Sequence, residues 1–537
     1  MTTDLAVESY DVVILGGGIN GCGTFRDLCA QGVKCLLIER DDFCAGASQG
    51  SSRLMHGGLK YLETGEFRLV RESATERNML LLTAPHYVTA LPCILPVRSY
   101  FGGILGSAAR FLRINAPLND RGFAIIALGL ALYDFYGRKF RALPRHKMLT
   151  ARTLRRDMPD LDPALKGAGL YYEAQISHAE RLGLELVLDG EALHPASLAE
   201  NHATLLGATD GVIRYHAKGR DHLVKPRVVI NAGGAWIDKI NASLGIASQH
   251  MGGSRGAHIV VRHPALLAAL KGRMVYFGTV DGRVNLIYPL GQNVLIGSTD
   301  IATPDPDTAT CTPAEATYLC ATVAEIFPAL PVTEDQIVYR YSGVRPLPRV
   351  DASGAAVTRD HSISTDTLPG STTLVLCLIG GKWTTFRGIS ETATDAVLAH
   401  LNQPRQRSTA GLPIGGGRDF PQTAAAKAAF LRSLIQTGGV TPDRAALLLA
   451  RYGTRAALYC ASLNGEAEIP LQTLPAYSQQ EIVHLIRTER AHTAEDLLRR
   501  RTTIALDGNA TPQATAEIAL ILQAGTQKTE RSQLHIS

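Results

Sequence analysis

Between Asp11 and Ile38 the hydrophobic pattern changes period within a few turns of chain. Asp11–Leu15 is an apolar, β-branched run, Gly16–Gly21 a tight glycine loop, and Cys22–Ala30 a helical stretch. Gly32 breaks the chain before a second apolar run, Lys34–Ile38. Strand, loop, helix and strand in this order predict a βαβ unit. Two later runs, "RVVINAGGAW" (Arg227–Trp236) and "TLVLCLIGGKW" (Thr373–Trp383), read as further buried strands that end in paired glycines. Their shared ending predicts one sheet assembled from distant segments. Between them, "GAHIVV", "RVNLIYPL" and "NVLIGSTD" are rich in β-branched and turn residues, which suits a largely antiparallel sheet across 255–350. Beyond residue 400, "RQRSTAGLPIGGGRDFP" reads as a Gly/Pro-rich linker. Ala/Leu/Arg stretches such as "PDRAALLLARY" and "TAEDLLRRRTTIAL" then predict a helical domain.

Composition narrows the function classes. The 537 residues exceed one ordinary core, so two or three domains are expected. With 45% hydrophobic and 19% charged residues the chain is ordinary globular material. A net charge of +5, without a compact basic patch interleaved with aromatics, argues against nucleic-acid binding. The nine cysteines form no CxxC pair, so neither a metal site nor a disulfide framework is expected, and a reduced, cytoplasmic setting fits best. The N-terminal residues carry neither a basic nor an apolar leader region. The most apolar run, Phe123–Leu132, is too short to span a bilayer.

The strongest chemical signal is Gly16-x-Gly18-x-x-Gly21 between a strand and a helix, with Glu39 ending the second strand. Glycines let the backbone turn tightly and approach a pyrophosphate, whose charge then rests on the helix N-terminus. Glu39 stands where a carboxylate accepts hydrogen bonds from an adenosine ribose, and its charge argues against a 2′-phosphate. That leaves FAD or NAD. A loop this early in the chain, followed by strand ends at Gly233-Gly234 and Gly380-Gly381, suits FAD held across distant segments.

In this order "GGGINGCG", "SSRLMHGGLKYLETGEFRLV", "GAHIVV", "LIGSTD", "YSGVRPL", "TRDH" and "GGKWTTFR" resemble the FAD-dependent, quinone-linked glycerol-3-phosphate dehydrogenases, closely over about residues 8–400. The resemblance implies an α/β plus α architecture. Its parts would be a Rossmann-like FAD-binding domain of the glutathione-reductase type, a β-rich substrate domain and a helical C-terminal domain. The expected divisions are 8–90 with 165–250 and 352–400 for FAD, and 91–164 with 251–351 for the substrate cap. A linker follows at 401–418, then the helical domain at 419–525. The implied reaction oxidises sn-glycerol 3-phosphate to dihydroxyacetone phosphate by hydride transfer to flavin N5, with electrons passed to a quinone. Carried over by motif, Arg345, Arg359 and Lys382 would bind the phosphorylated substrate, and Lys60-Tyr61 stand at the family's Arg-Tyr pair. Guanidinium and ammonium groups suit a phosphate dianion. Arg345 and Lys382 would favour a developing alkoxide. His258, and after it His56, are the candidate bases, though either also reads as a structural histidine.

Ser52, His56 and Gly57 are expected along the flavin, with Gly233, Gly380, Gly381, Lys382 and Thr384 at the later turns. Two departures bear on the substrate. Lys60 replaces the family's arginine, and "QISHAERLGLEL" (Gln175–Leu186) carries His178 where the family tends to have an acid. A tetritol phosphate is therefore an alternative substrate, and a peroxide-forming flavin oxidase acting on the same or a related polyol phosphate is a separate alternative. The family's location implies peripheral contact with the inner face of the cytoplasmic membrane. Phe111–Lys147 joins an apolar stretch to Arg138, Lys139, Arg141, Arg145 and Lys147. A homodimer is compatible with the chain.

Overall fold

The computed structural model describes residues 6–62, 65–100, 122–303, 305–349 and 361–534, without the side chains of Lys60 and of residues 526–534. The βαβ unit forms where the pattern changes period. Val7–Leu15 and Cys35–Ile38 pair in parallel, joined by the helix Ile19–Ala30. The sheet runs Ser362–Thr367, Leu374–Ile379, Arg220–Asn231, Val7–Leu15, Cys35–Ile38, Leu198–Glu200. Its pairs are parallel from Leu374–Ile379 onward; Ser362–Thr367 is antiparallel, and the hairpin Thr204–Ala217 hangs from Arg220–Asn231. The helices Ile19–Ala30, Ala179–Leu193 and Phe386–Leu401 cover one face, burying Phe25, Leu28, Leu182, Phe386 and Val397 against Val12, Ile14 and Ile230. The four central strands are buried on both faces, which is why they read as unbroken apolar runs.

A second, ten-stranded sheet is mostly antiparallel and includes Ser254–Val261, Val284–Leu290, Asn293–Gly297 and Ile337–Arg345. Strand Gly167–Ile176, assigned from sequence to the FAD-binding part, instead pairs with Val88–Val97 along its whole length. Leu54–Met55 joins the same strand, so the sheet that carries the cap begins inside the first segment.

The C-terminal part is helical from Ala424–Gly438 to Pro512–Leu534 around Leu448, Tyr459, Ile482, Leu497 and Ile518. Its second helix, Pro442–Tyr452, starts at a Thr441 cap with Pro442 and Asp443 in the first turn. The 401–418 segment that joins it is a fastened strap rather than a loose tether. Arg405 pairs with Asp27 at 3.0 Å, and the Gly415 and Gly416 amides donate to Asp189 and Glu185 at 3.0 and 3.1 Å. A Cβ on Gly416 would stand 2.1 Å from the Tyr452 carbonyl, so the glycine run provides close approach rather than flexibility.

Helix Ala179–Leu193 explains the docking. Arg181, Glu185 and Asp189 recur every fourth residue on one face. Arg181 grips Glu489 through two bonds of 2.7 and 2.8 Å, and Asp189 also takes Arg455 at 3.1 Å. A second junction lies past Glu39. Buried Asp42 receives Arg501 at 2.6 and 2.9 Å and Arg500 at 2.6 Å, and Arg500 also holds Asp496 at 2.7 Å. Burial opposes the charge on Asp42, but the two guanidinium groups outweigh it and hold the carboxyl below its usual range. Arg501→Met removes two bonds from a buried carboxylate and is expected to cost about 3 kcal/mol, seen as a lower thermal midpoint. Asp42→Asn added to it should recover part of the loss, because the stranded charge is gone.

Candidate active site

A cavity of about 520 Å³ opens outside the carboxyl ends of the parallel strands, where ligands bind in open α/β sheets. Gly16, Glu39, Gly233 and Gly380 at those strand ends form one wall. The second sheet supplies the other through Gly256, His258 and Arg345.

At the first glycine loop, Gly16 takes φ +106°, and Gly18 begins the helix without a side-chain cap. The Ile19 amide donates instead to Ser48 Oγ at 3.0 Å. Glu39 accepts the Gly17 and Asp41 amides at 2.6 and 2.8 Å. Burial outweighs those bonds and pushes its carboxyl up to about 6. Gly21 does not line the cavity: a Cβ there would stand 1.9 Å from the Gly16 carbonyl, so its part is to let the helix pack on the loop.

At the opposite end, Gly380 and Gly381 both take positive φ. A Cβ on Gly381 would meet Asn20 Nδ2 at 2.4 Å, and that amide donates to the Gly380 carbonyl at 3.0 Å. Lys382 Nζ lies 4.1 Å from the centre of the Tyr61 ring, buried, with no hydrogen-bond partner among the described residues. Thr384 Oγ1 donates to the His56 carbonyl at 3.2 Å, which ties the Lys382 segment to the "HGG" segment. His56, Tyr61, Gly381, Lys382 and Thr384 all face the cavity.

Arg345 is held by acceptors on the second sheet. Nη2 donates to Ser298 Oγ at 2.9 Å and to the Thr299 carbonyl at 3.0 Å, and Nη1 reaches Asp300 at 3.3 Å. Gly256 makes room for it, since a Cβ there would stand 2.2 Å from Nη2.

His258 also faces the cavity, stacked on Tyr341 with ring centres 5.1 Å apart. Its Nε2 is 2.7 Å from Ser52 Oγ. Burial first, then the Arg345 and Arg53 cations, push its pKa down to about 3. His258 is therefore a neutral imidazole and a weak proton acceptor.

Gly57, expected along the flavin, does not line the cavity. Its α-carbon faces Tyr133, whose hydroxyl would stand 2.3 Å from a Cβ, and its amide donates to Glu173. Lys60 lies in the short turn Leu59–Leu62, its side chain outside the described residues, as is all of Arg359. His178 is buried on Tyr87 with ring centres 5.1 Å apart and does not line the cavity. Burial, with Arg181 second, pushes its pKa down to about 3. The Gln175–Leu186 segment docks the helical domain instead.

Sequence reading passed over Arg40, Trp236 and Lys239, which line the cavity near Glu39 and converge on Asp307. Only Trp236, inside the "NAGGAW" turn, carried a signal. Asp42, His202 and Asp496 also approach one another within 4.8 Å, but both carboxylates already hold guanidinium groups.

Residues 11–395 match the FAD dependent oxidoreductase family, and residues 407–533 match the C-terminal domain of alpha-glycerophosphate oxidase. A glycerol-3-phosphate dehydrogenase of Synechocystis sp. is 33% identical over 527 residues, covering 93% of this chain and 90% of the relative. The chain belongs to the FAD-dependent glycerol-3-phosphate dehydrogenase family. D-erythritol 1-phosphate dehydrogenase of Brucella abortus is 31% identical, covering 92% of this chain and 94% of the relative. The structure of a Bacillus halodurans glycerol-3-phosphate dehydrogenase complexed with FAD shares the fold, with a TM-score of 0.69 at 22% identity over 97% of this chain and 95% of that one.

This family member is an FAD enzyme, and its cavity suits the cofactor on two observations. The glycine loop leaves backbone and a helix N-terminus facing the cavity, and a buried ammonium at the far end has no hydrogen-bond partner among the described residues. Glu39 gives a pH test. Ionised Glu39 would accept the ribose hydroxyls of FAD, and binding would then release the proton that burial retains below a pKa of about 6. FAD affinity of the apoprotein should rise about tenfold per pH unit approaching pH 6 and level off above it, measured by flavin fluorescence quenching. Glu39→Gln should flatten that profile.

Proposed function

We propose that this enzyme oxidises sn-glycerol 3-phosphate to dihydroxyacetone phosphate at the cytoplasmic face of a membrane, with a quinone as electron acceptor. The observation that carries the reading is the Lys382 ammonium above Tyr61, without a hydrogen-bond partner among the described residues, in the same cavity as the anchored Arg345 guanidinium. Two cations in one cavity suit a substrate with a phosphate dianion at one end and a hydroxyl about to lose its proton. Arg345, braced by Ser298 and Thr299, binds the phosphate. Lys382 faces the C2 oxygen and favours its negative charge. FAD, when bound, supplies the two-electron acceptor that takes the C2 hydride at N5. The hydroxyl proton goes to His56, because His258 is a weak base held against Ser52.

The Brucella relative supports a second reading, in which a four-carbon polyol phosphate is the substrate. Anaerobic addition of each compound to the yellow protein separates the two. Loss of the flavin absorbance band with sn-glycerol 3-phosphate supports the first reading. Bleaching by D-erythritol 1-phosphate alone supports the second, and bleaching by neither overturns both. Lys382→Ala should lower the bleaching rate at least a hundredfold while the flavin stays bound. In air, turnover that matches peroxide one for one would replace the quinone with oxygen.

Membrane contact rests on the helix Phe123–Tyr136. Its inner face buries Ile126, Leu130 and Tyr133, while Leu128 and Phe135 remain 64% and 52% exposed and the Arg138 guanidinium lies 3.8 Å over the Phe135 ring. Apolar side chains next to cations suit an anionic bilayer surface. No helix among the described residues is long and apolar enough to cross a membrane. The protein should sediment with phosphatidylglycerol vesicles, and Leu128→Glu with Phe135→Glu should abolish this while flavin content is unchanged. Equal sedimentation of the double variant would remove the helix from the contact.

A further inference from the structure

Directly behind the "HGG" segment lies a buried ionic cluster that the proposed chemistry does not use. Glu173, from strand Gly167–Ile176, accepts through Oε2 the Gly57 amide at 3.0 Å and Arg77 Nη1 at 2.7 Å. Its Oε1 accepts the Tyr133 hydroxyl at 2.6 Å, and Arg77 also donates to that hydroxyl at 2.8 Å. Side chains of Arg77 and Glu173 are 5% and 3% exposed, and Arg77, Tyr133 and Glu173 are absent from the cavity lining. A buried ion pair seldom stabilises more than well-packed apolar side chains of the same volume. What a carboxylate provides that an apolar group does not is direction, through acceptors aimed at chosen donors.

The aim here is at one peptide. Gly57 is held from two sides, its amide by Glu173 and its α-carbon by the Tyr133 hydroxyl, which leaves no room for a Cβ. The residue before it is tied through the His56 carbonyl to Thr384, two positions after Lys382. After it, Gly58 turns the chain at φ +78°, and the Tyr61 ring packs against the bare α-carbon of Gly58. Lys382 Nζ rests on the other end of this arrangement, over the Tyr61 ring. Position is therefore handed from Glu173 to Gly57, from Gly57 to Tyr61, and from Tyr61 to the lysine that faces the substrate.

We propose that Arg77, Glu173 and Tyr133 are positioning residues that set the His56–Tyr61 wall against the polyol phosphate. The proposal rests on the substrate-site reading above. It assigns the cluster to holding that wall in place for substrate and not to contact with substrate or FAD, since no member lines the cavity. Loosening Gly57 should therefore weaken substrate binding and also slow the chemical step, because the same wall carries His56 and supports Lys382, so KM rises and kcat falls while FAD stays bound.

Tyr133→Phe is the decisive variant, because it deletes one hydroxyl and keeps the ring. Tyr171→Phe is its control: that ring lies 6.1 Å from Tyr133, and its hydroxyl is not among the hydrogen-bond partners recorded for Glu173. Each protein is assayed with whichever polyol phosphate bleaches the wild-type flavin. The dissociation constant for dihydroxyacetone phosphate is read separately, from the perturbed spectrum of the oxidised flavin. For Tyr133→Phe we expect KM and that dissociation constant to rise about tenfold and kcat to fall about fivefold, since the displaced wall carries His56 and supports Lys382. Flavin content and thermal midpoint should stay close to wild type, and Tyr171→Phe should keep the wild-type KM. Glu173→Gln, which turns an N–H₂ group toward donors, should raise KM further, and combining it with Tyr133→Phe should add little.

An unchanged KM and dissociation constant in Tyr133→Phe would overturn the proposal. So would a joint fall of kcat, flavin content and thermal midpoint, the mark of a purely structural cluster. Wild-type bleaching by sn-glycerol 3-phosphate tests the substrate assignment, whereas the ratio of variant to wild type tests the cluster, so either can fail alone.

Discussion

Three backbone segments meet at the first glycine loop with no room for a side chain. A Cβ on Gly21 would stand 1.9 Å from the Gly16 carbonyl, and one on Gly16 would stand 2.8 Å from the Ala232 carbonyl. The first contact seats the helix Ile19–Ala30 on the end of its strand, so that its N-terminus faces the cavity. The second brings the loop against the turn after Arg220–Asn231, some two hundred residues later in the chain. Without both, the strand ends at Leu15 and Asn231 would have to separate, and the wall they share would open. The cavity is thus a consequence of backbone approach before it is a matter of side-chain chemistry.

Around that contact the molecule is assembled by buried carboxylates placed at its seams. Asp42 takes two arginines from the helical domain, Glu185 takes the amide of the strap, and Glu173 takes the peptide behind the active-site wall. Each is paired or hydrogen-bonded, as burial of a charge requires. Their common property is direction: an apolar seam would hold the same parts together but leave them free to slide. Asp42 lies three residues beyond Glu39, so the helical domain braces the same loop that ends the nucleotide-binding wall. None of the described residues of the helical domain lines the cavity, so the domain bears on the site from outside, through junctions such as these.

Much of this was legible in the chain because it depends on local pattern. The period changes between Asp11 and Ile38 encode the βαβ unit, and the Gly-Gly strand ends at 233 and 380 mark where the same sheet returns. FAD and the fold class followed from those signals together with the ordered motifs. What escaped notice had no local signature. Strand Gly167–Ile176 looked as buried as its neighbours, and nothing in its residues says which sheet it joins. Gly57 read as a glycine near flavin, although the atom it makes room for belongs to Tyr133. His178 looked like a departure at a substrate site, yet it sits on Tyr87 beside a helix whose charges face the other domain.

The sequence alone determined the elements, the glycine positions that require close backbone approach, and the kinds of charge available to the site. These are properties of short stretches, set by residue type and spacing. Only the tertiary structure decided which partner each charge received. Arg345 and Lys382 are equally cationic in the chain, yet one is braced by four oxygen atoms and the other has its ammonium buried over a ring with no hydrogen bond among the described residues. His258 is an ordinary histidine in the chain, yet burial and two neighbouring guanidinium groups make it a weak base. The reason is that desolvation and pairing depend on what packs around a group from distant segments, and no stretch of sequence carries that information by itself.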